Sequence, residues 1–185
     1  MEAKGTTVST TPDFVRERCG EHGLARFLEA LSPQARVIFT SSILASRWYP
    51  LEYGVVEPTR AVCNLFFAGD PVGARQLGRY SADKTLRGIY KVFVKIRDPM
   101  WTIKRSTTVF AAYYRPGTCT VLDETECSAT VRYVDFPEAS GLVEQRIAGW
   151  DERGLEICGV SNIYVDVVKS ISRGDKEIEI ALSWS

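Results

Sequence analysis

The sequence predicts an α+β domain in which an N-terminal helical layer packs on a C-terminal four-stranded antiparallel sheet, with one helix between two hairpins. Three observations carry that expectation. The last third alternates apolar and polar residues with a period of two, most clearly over 177–184, which is how a strand lays one face on a core. Upstream, apolar residues recur at the three- and four-residue spacing of helix faces. At 185 residues, 45% hydrophobic and 25% charged, the chain has the size and balance of one globular domain.

The elements follow in chain order. Residues 1–11 are small and polar and read as a flexible N-terminal arm or a short edge strand, with residues 12–185 forming a single ligand-binding-like domain. Thr11-Pro12-Asp13 opens a helix, because proline at the first helical position forfeits only an N–H that has no partner there. Gly20 and Gly23 break it, Leu24, Phe27, Leu28 and Leu31 form the next face, and Ser32-Pro33 restarts the pattern. Trp48-Tyr49-Pro50 turns into a stretch with Val62, Leu65 and Phe66 on one side, and Gly69-Asp70-Pro71 stops it and caps the next helix. Leu86, Ile89, Tyr90, Phe93 and Ile96 then line one face of an amphipathic segment, with Lys84, Arg87, Lys91 and Lys95 opposite. Asp98-Pro99 caps a helix carrying Ile103, Thr107, Phe110 and Tyr114, which Arg115-Pro116-Gly117 ends. Segments 118–122 and 126–135 form a hairpin around Asp123-Glu124-Thr125. A helix at about 139–151 carries Leu142, Val143 and Ile147, and 162–171 with 176–184 form the second hairpin.

Composition also bounds function. Apolar runs such as Val92-Phe93-Val94 fall far short of the ~20 residues of a membrane span, and the amino terminus has no apolar signal core, so a soluble, cytoplasmic chain is expected. Cys19, Cys63, Cys119, Cys127 and Cys158 are odd in number without a Cys-x-x-Cys pair, which argues against a disulfide framework and a zinc ribbon. His22, the one histidine, sits between Gly20 and Gly23 as a surface or capping residue would, so neither a histidine-based triad nor a metal centre is expected. Gly73 to Gly78 superficially resembles a phosphate loop but lacks the following Lys-Ser/Thr and a preceding strand; close helix packing explains the glycines better. An enzyme would have to use a cysteine or carboxylates such as Asp135 or Asp166, and no catalytic set is visible.

Charge is neutral overall but uneven: residues 73–105 hold 9 basic and 2 acidic side chains, and 123–185 hold 6 and 13. These regions can complement each other within the chain, between subunits or with partners. Arg87, Lys91 and Lys95 stack four apart, as a solvated face or as a surface for an acidic partner; nucleic acid is not expected, since no recognition motif is present. Aromatic residues crowd the helical half. Where helices cross a sheet, rings that fail to interdigitate leave an apolar cavity, and its candidate lining is Trp48, Tyr53, Cys63, Phe66, Trp101, Phe110 and Tyr114.

The order of elements then carries a resemblance over roughly residues 20–185. The Trp48-Tyr49-Pro50 turn, the stretch from Gly78-Arg79 to Asp98-Pro99, the Tyr113-Tyr114-Arg115-Pro116-Gly117 junction and the finish at Ser183-Trp184 resemble a myxobacterial family. That family is related to 4-vinyl-reductase domains, haem-nitric-oxide-binding domains and the small subunits of the TRAPP tethering complex. The resemblance implies helices on an antiparallel sheet, frequent dimerisation and an apolar pocket. Its haem branch implies a histidine past the midpoint and a Tyr-x-Ser-x-Arg motif; this chain has neither, so no cofactor is expected and haem is unlikely. Its TRAPP branch implies an acyl chain on a cysteine, with Cys63 a candidate by residue type. The expectation is a non-enzymatic regulatory or sensory domain that binds an apolar small molecule or lipid, as a homodimer. The alternative is an interaction or tethering subunit that docks through Arg87, Lys91 and Lys95.

Overall fold

The first residues of the chain take part in the fold. In the computed structural model, which describes residues 1–86, 98–138 and 140–185, strand β1 (Glu2–Lys4) lies between β2 (Trp48–Pro50) and β3 (Tyr114–Arg115) in an antiparallel sheet. The reading of residues 1–11 as a flexible arm is therefore corrected. Ala3 is fully buried, and the short helix α1 (Gly5–Val8) follows with Val8 equally buried. Burying these two side chains supplies an apolar drive that their polar neighbours conceal in the sequence.

The stretch α2 (Thr10–Glu29) is two helices that meet at Gly20, the second running on through Gly23. Gly20, at a φ of 68° and a ψ of −173°, leaves the helical region and breaks the helix as expected, whereas Gly23 does not. The restart is as expected: in α3 (Pro33–Thr40) the Ser32 hydroxyl accepts from the Ala35 amide. After β2, a π-helical turn (Glu52–Val56) leads into α4 (Glu57–Phe66). Asp70 Oδ1 then accepts from the Val72 amide at 2.8 Å at the start of α5 (Val72–Leu86). The amphipathic face of Ile89, Tyr90, Phe93 and Ile96, and the basic stripe Arg87, Lys91 and Lys95, lie outside the described residues. Asp98 caps α6 (Pro99–Tyr113) by accepting from the Trp101 amide at 3.0 Å.

The rest of the chain builds the second sheet. Strands β4 (Thr118–Leu122), β5 (Ser128–Val134), β6 (Tyr164–Lys169) and β7 (Ile178–Ser183) pair antiparallel in the order β4-β5-β7-β6. Val131, Ile180 and Val167 stand side by side across it, all buried. Between the hairpins, α7 (Gly141–Cys158) continues well past residue 151, because Leu155 and Cys158 extend its buried stripe until Gly159 ends it at a φ of 90°. The α+β architecture matches the expectation. Among the described residues, no helix is long and apolar enough to cross a membrane.

Helices α5 and α7 approach so closely that glycine is required on both. A Cβ on Gly78 would collide with the carbonyl oxygen of Arg146, and one on Gly149 with that of Arg75. Along the same seam Arg75 and Arg79 each lie 2.7 Å from Glu152, and Arg79 lies 2.9 Å from Glu156. Part of the charge asymmetry between the middle and the last third is thus neutralised within the chain.

Candidate functional site

A cavity of about 40 Å³ opens where α7 crosses α6 and the edge of β5, with α1 and α5 closing the far side. That is room for about three water molecules. Arg146, Ile147, Trp150 and Asp151 project from α7 at three- and four-residue spacing, so one face of a single helix supplies most of the chemistry. Ser106, Val109, Phe110 and Tyr113 come from α6, Tyr114 from β3 and Tyr133 from β5, while Thr7, Gly78 and Ser81 complete the lining. A smaller void of about 10 Å³ shares Ser106, Trp150 and Asp151 with it and extends along the α6–α7 seam.

Part of the wall is a packed aromatic cluster. The Phe110 ring lies 4.9 Å from Tyr133, 5.3 Å from Tyr114 and 5.5 Å from Phe136, largely edge to face, an arrangement that positive ring edges and negative faces favour. Set into this apolar wall are a carboxyl, Asp151, and a guanidinium, Arg146. The Tyr133 hydroxyl donates to Asp151 Oδ2 at 3.0 Å. Burial pushes the Asp151 carboxyl up to about 7, against the opposite pulls of that hydrogen bond and the Arg75 charge. Burial, and next the facing Asp151 charge, holds the Tyr133 phenol well above its ordinary value. Arg146 is 2% exposed and its Nη1 donates to Thr59 Oγ1 at 2.9 Å and Thr11 Oγ1 at 3.2 Å. Its Nη2, the Trp150 indole N–H and the Thr7 hydroxyl find no hydrogen-bond partner among the described residues.

Of the seven residues proposed from sequence for a pocket, this cavity brings together Phe110 and Tyr114. The others lie elsewhere. Trp48 on β2 stacks under cations, with the Arg115 guanidinium 4.3 Å and the Lys4 amine 4.5 Å from its ring. Trp101 faces Arg105 at 5.3 Å, and Phe66 faces Arg26 at 6.0 Å. Tyr53 is half-buried in the π-helical turn. Cys63 is buried on α4 beside Gly73, where desolvation pushes its thiol up. His22, Asp135 and Asp166 are exposed. Arg146, Trp150 and Asp151 were missed, although a signal was there: they fall on the same stripe as Val143 and Ile147, so a cation and an acid interrupt an otherwise apolar helix face.

No family model matches this sequence and no curated protein matches it. Solved structures do. An H-NOX protein from S. oneidensis in the Fe(II)NO ligation state is similar with a TM-score of 0.76 and 13% identity, covering 98% of this chain and 99% of its own. The Fe(II) unliganded H-NOX protein from K. algicida gives 0.72 and 12%, over 98% and 96%. A mutant of T. tengcongensis H-NOX gives 0.69 and 12%, over 98% and 97%. At these identities the likeness is one of fold, and it bears out the haem-nitric-oxide-binding branch of the sequence resemblance at that level.

It also corrects the expectation of a chain without a cofactor and with haem improbable. The architecture belongs, over nearly the whole chain, to proteins whose descriptions give Fe(II) ligation states and, in one case, heme distortion. The cavity residues of this chain present a different donor set from a histidine- or thiolate-held haem iron: their polar atoms are phenol, hydroxyl, carboxyl, indole and guanidinium groups. Among the described residues no group of three or more His, Cys, Asp or Glu is placed to hold a metal ion.

Proposed function

We propose that this chain is a sensory domain that binds a small molecule in the cavity between α6, α7 and β5, and that it is not an enzyme. The observation that carries this reading is the cavity itself: an aromatic wall, with Arg146, Trp150 and Thr7 presenting buried polar atoms that have no hydrogen-bond partner among the described residues. The fold likeness supports it, because the similar H-NOX structures are described with NO and CO as ligands, molecules of a size this cavity admits. Asp151 is the one buried carboxyl in the cavity, and its partner Tyr133 is held protonated. The pair therefore offers an acceptor and a donor but no activated nucleophile.

Of the occupants suggested by the sequence, a small molecule with an apolar side suits the aromatic wall, while a lipid acyl chain exceeds room for about three waters. Homodimerisation belongs to the same proposal. Tyr164 (61% exposed) and Val168 (47% exposed) on the edge strand β6 support it, since an uncovered apolar edge invites pairing. The wider kinship with 4-vinyl-reductase and TRAPP domains is also proposed, on the order of sequence motifs.

Xenon, a neutral apolar probe, tests occupancy. Pressurising the protein should shift the Trp150 indole resonance and the Ile147 methyl resonances saturably, and Val109→Trp, which fills the space, should abolish the response. Resonances that stay fixed in the wild type would remove the reading. A sedimentation coefficient that stays at the monomer value as concentration is raised would remove the homodimer.

A further inference from the structure

Arg146 poses a problem that protein groups leave unsolved. Its guanidinium is buried at 2% exposure, its Nη1 meets two neutral threonine hydroxyls, and its Nη2 has no acceptor among the described residues. Arginine retains its proton throughout the physiological range, so it escapes burial by neither deprotonation nor tautomerism. A buried charge is ordinarily paired. Here the nearby carboxylates are committed elsewhere. Glu152 and Glu156 hold Arg75 and Arg79, Asp151 accepts from Tyr133, and Glu144 accepts from Ser170 and Ser172 on the sheet side. The two acids that feel the Arg146 charge, Cys63 and Tyr114, are both pushed toward their neutral forms by burial.

Packing alone requires no charge at this position. The Gly78 contact uses only the Arg146 backbone, and a methionine of similar reach would fill the space without a desolvated cation. Trp150 follows one turn along the same helix face with a free indole N–H, and Thr7 adds an unpartnered hydroxyl from α1. Three polar side chains from two elements, two of them more than nine-tenths buried, thus line a cavity sized for about three heavy atoms with donors that lack acceptors, while the one carboxyl in that lining, Asp151, is taken by Tyr133 and pushed toward its neutral form by burial.

The geometry points to a small planar monoanion of the formate or nitrite class as the occupant, its oxygens accepting from Arg146 and from the Trp150 indole while its body rests on the aromatic wall. This names the ligand class for the site proposed above and rests on that reading. The anion supplies the counter-charge that the fold leaves out, and a guanidinium holds a planar oxyanion more strongly than it holds a neutral carbonyl.

Isothermal titration calorimetry with sodium formate and sodium nitrite, against formamide and sodium chloride at matched ionic strength, tests it. The wild type should bind formate or nitrite saturably at one site, with formamide at least about tenfold weaker, since a hydrogen bond to a charged partner is worth that much. Trp150→Phe and Thr7→Val, which remove a donor and keep an apolar or similar shape, should weaken the anion by roughly tenfold. They also keep the test open if Arg146→Met fails to fold. Equal affinity for formate and formamide, absence of saturable anion binding, or unchanged affinity in both donor variants would overturn the inference. Xenon uptake without anion binding defeats this inference alone, whereas the loss of both defeats the small-molecule site as well.

Discussion

Helix α7 carries charge on two sides that meet different surroundings. Toward α5, where water reaches, Glu152, Arg153 and Glu156 are paired with Arg75, Arg79 and Asp83, their nitrogens and oxygens within 2.7–2.9 Å. Toward α6 and β5, where water is scarce, Asp151 and Arg146 have no ion partner among the described residues. Structural need runs the other way: pairing matters most where the dielectric is low. A helix that pairs its half-buried charges and leaves buried Arg146 and Asp151 without an ion partner among the described residues has its pairing where stability gains least from it.

The largest expected effect comes from the seam that joins the two sides. Gly78→Val pushes a branched side chain against the backbone carbonyl of Arg146, a contact that only movement of α7 relieves. It should cost about 5 kcal/mol or more, a large share of the roughly 5–15 kcal/mol that holds a domain folded. Urea denaturation checks it, and a Gly78→Val protein as stable as wild type would show that the helices, and with them the cavity, sit further apart.

Next comes the buried acid. Asp151 titrates at about 7 in the fold against 3.8 for the free group, so between those values the folded chain holds a proton that the unfolded chain has released. Its contribution to stability is fully present below about pH 4 and is lost as pH rises through about 7, a change of up to about 4 kcal/mol. In Asp151→Asn that dependence should vanish, so the variant gains on the wild type as pH rises. Denaturation curves at several pH values measure the difference, and parallel curves for the two proteins would place a counter-charge beside Asp151.

Much of the helical layer was legible because its signals are local. Asp98, Ser32 and Asp70 each accept from an amide two or three residues on, and a window of four residues contains the whole argument. The second sheet was legible through its alternation. Strand β1 was not, since Glu2, Ala3 and Lys4 are strand residues only by virtue of Trp48–Pro50 and Tyr114–Arg115, which no local pattern announces. The site divided in the same way. That a ring such as Phe110 is buried follows from its apolarity, but whether it borders a cavity depends on what it meets, and Trp48 and Trp101 instead meet cations. Arg146 and Asp151 were passed over because charged residues are ordinarily placed at the surface.

A smaller effect separates burial from pairing. Tyr133→Phe removes the hydroxyl that donates to Asp151. Leaving that acceptor unsatisfied in a dry place should cost about 1–2 kcal/mol. Because the bond pulls the carboxyl downward, its loss should also raise the Asp151 titration further, which carboxyl carbon resonances follow through a pH series. A downward shift would mean that solvent reaches Asp151 once the hydroxyl is gone.

The smallest effect belongs to a charge held by two arginines. Glu152 touches Arg75 and Arg79 at 2.7 Å each, yet all three side chains are 24% exposed. Water and salt screen them, and the arginines retain solvent when their partner is neutralised. Glu152→Gln should therefore cost only about 0.5–1 kcal/mol despite breaking two ion pairs, and the loss should shrink as salt is raised, whereas that of Tyr133→Phe should not. Urea denaturation of both variants at low and high salt makes the comparison direct. If Glu152→Gln proves as costly as Tyr133→Phe and equally indifferent to salt, the α5 side of α7 is as dry as the cavity side. The contrast between paired exposed charges and unpaired buried ones then loses its physical basis.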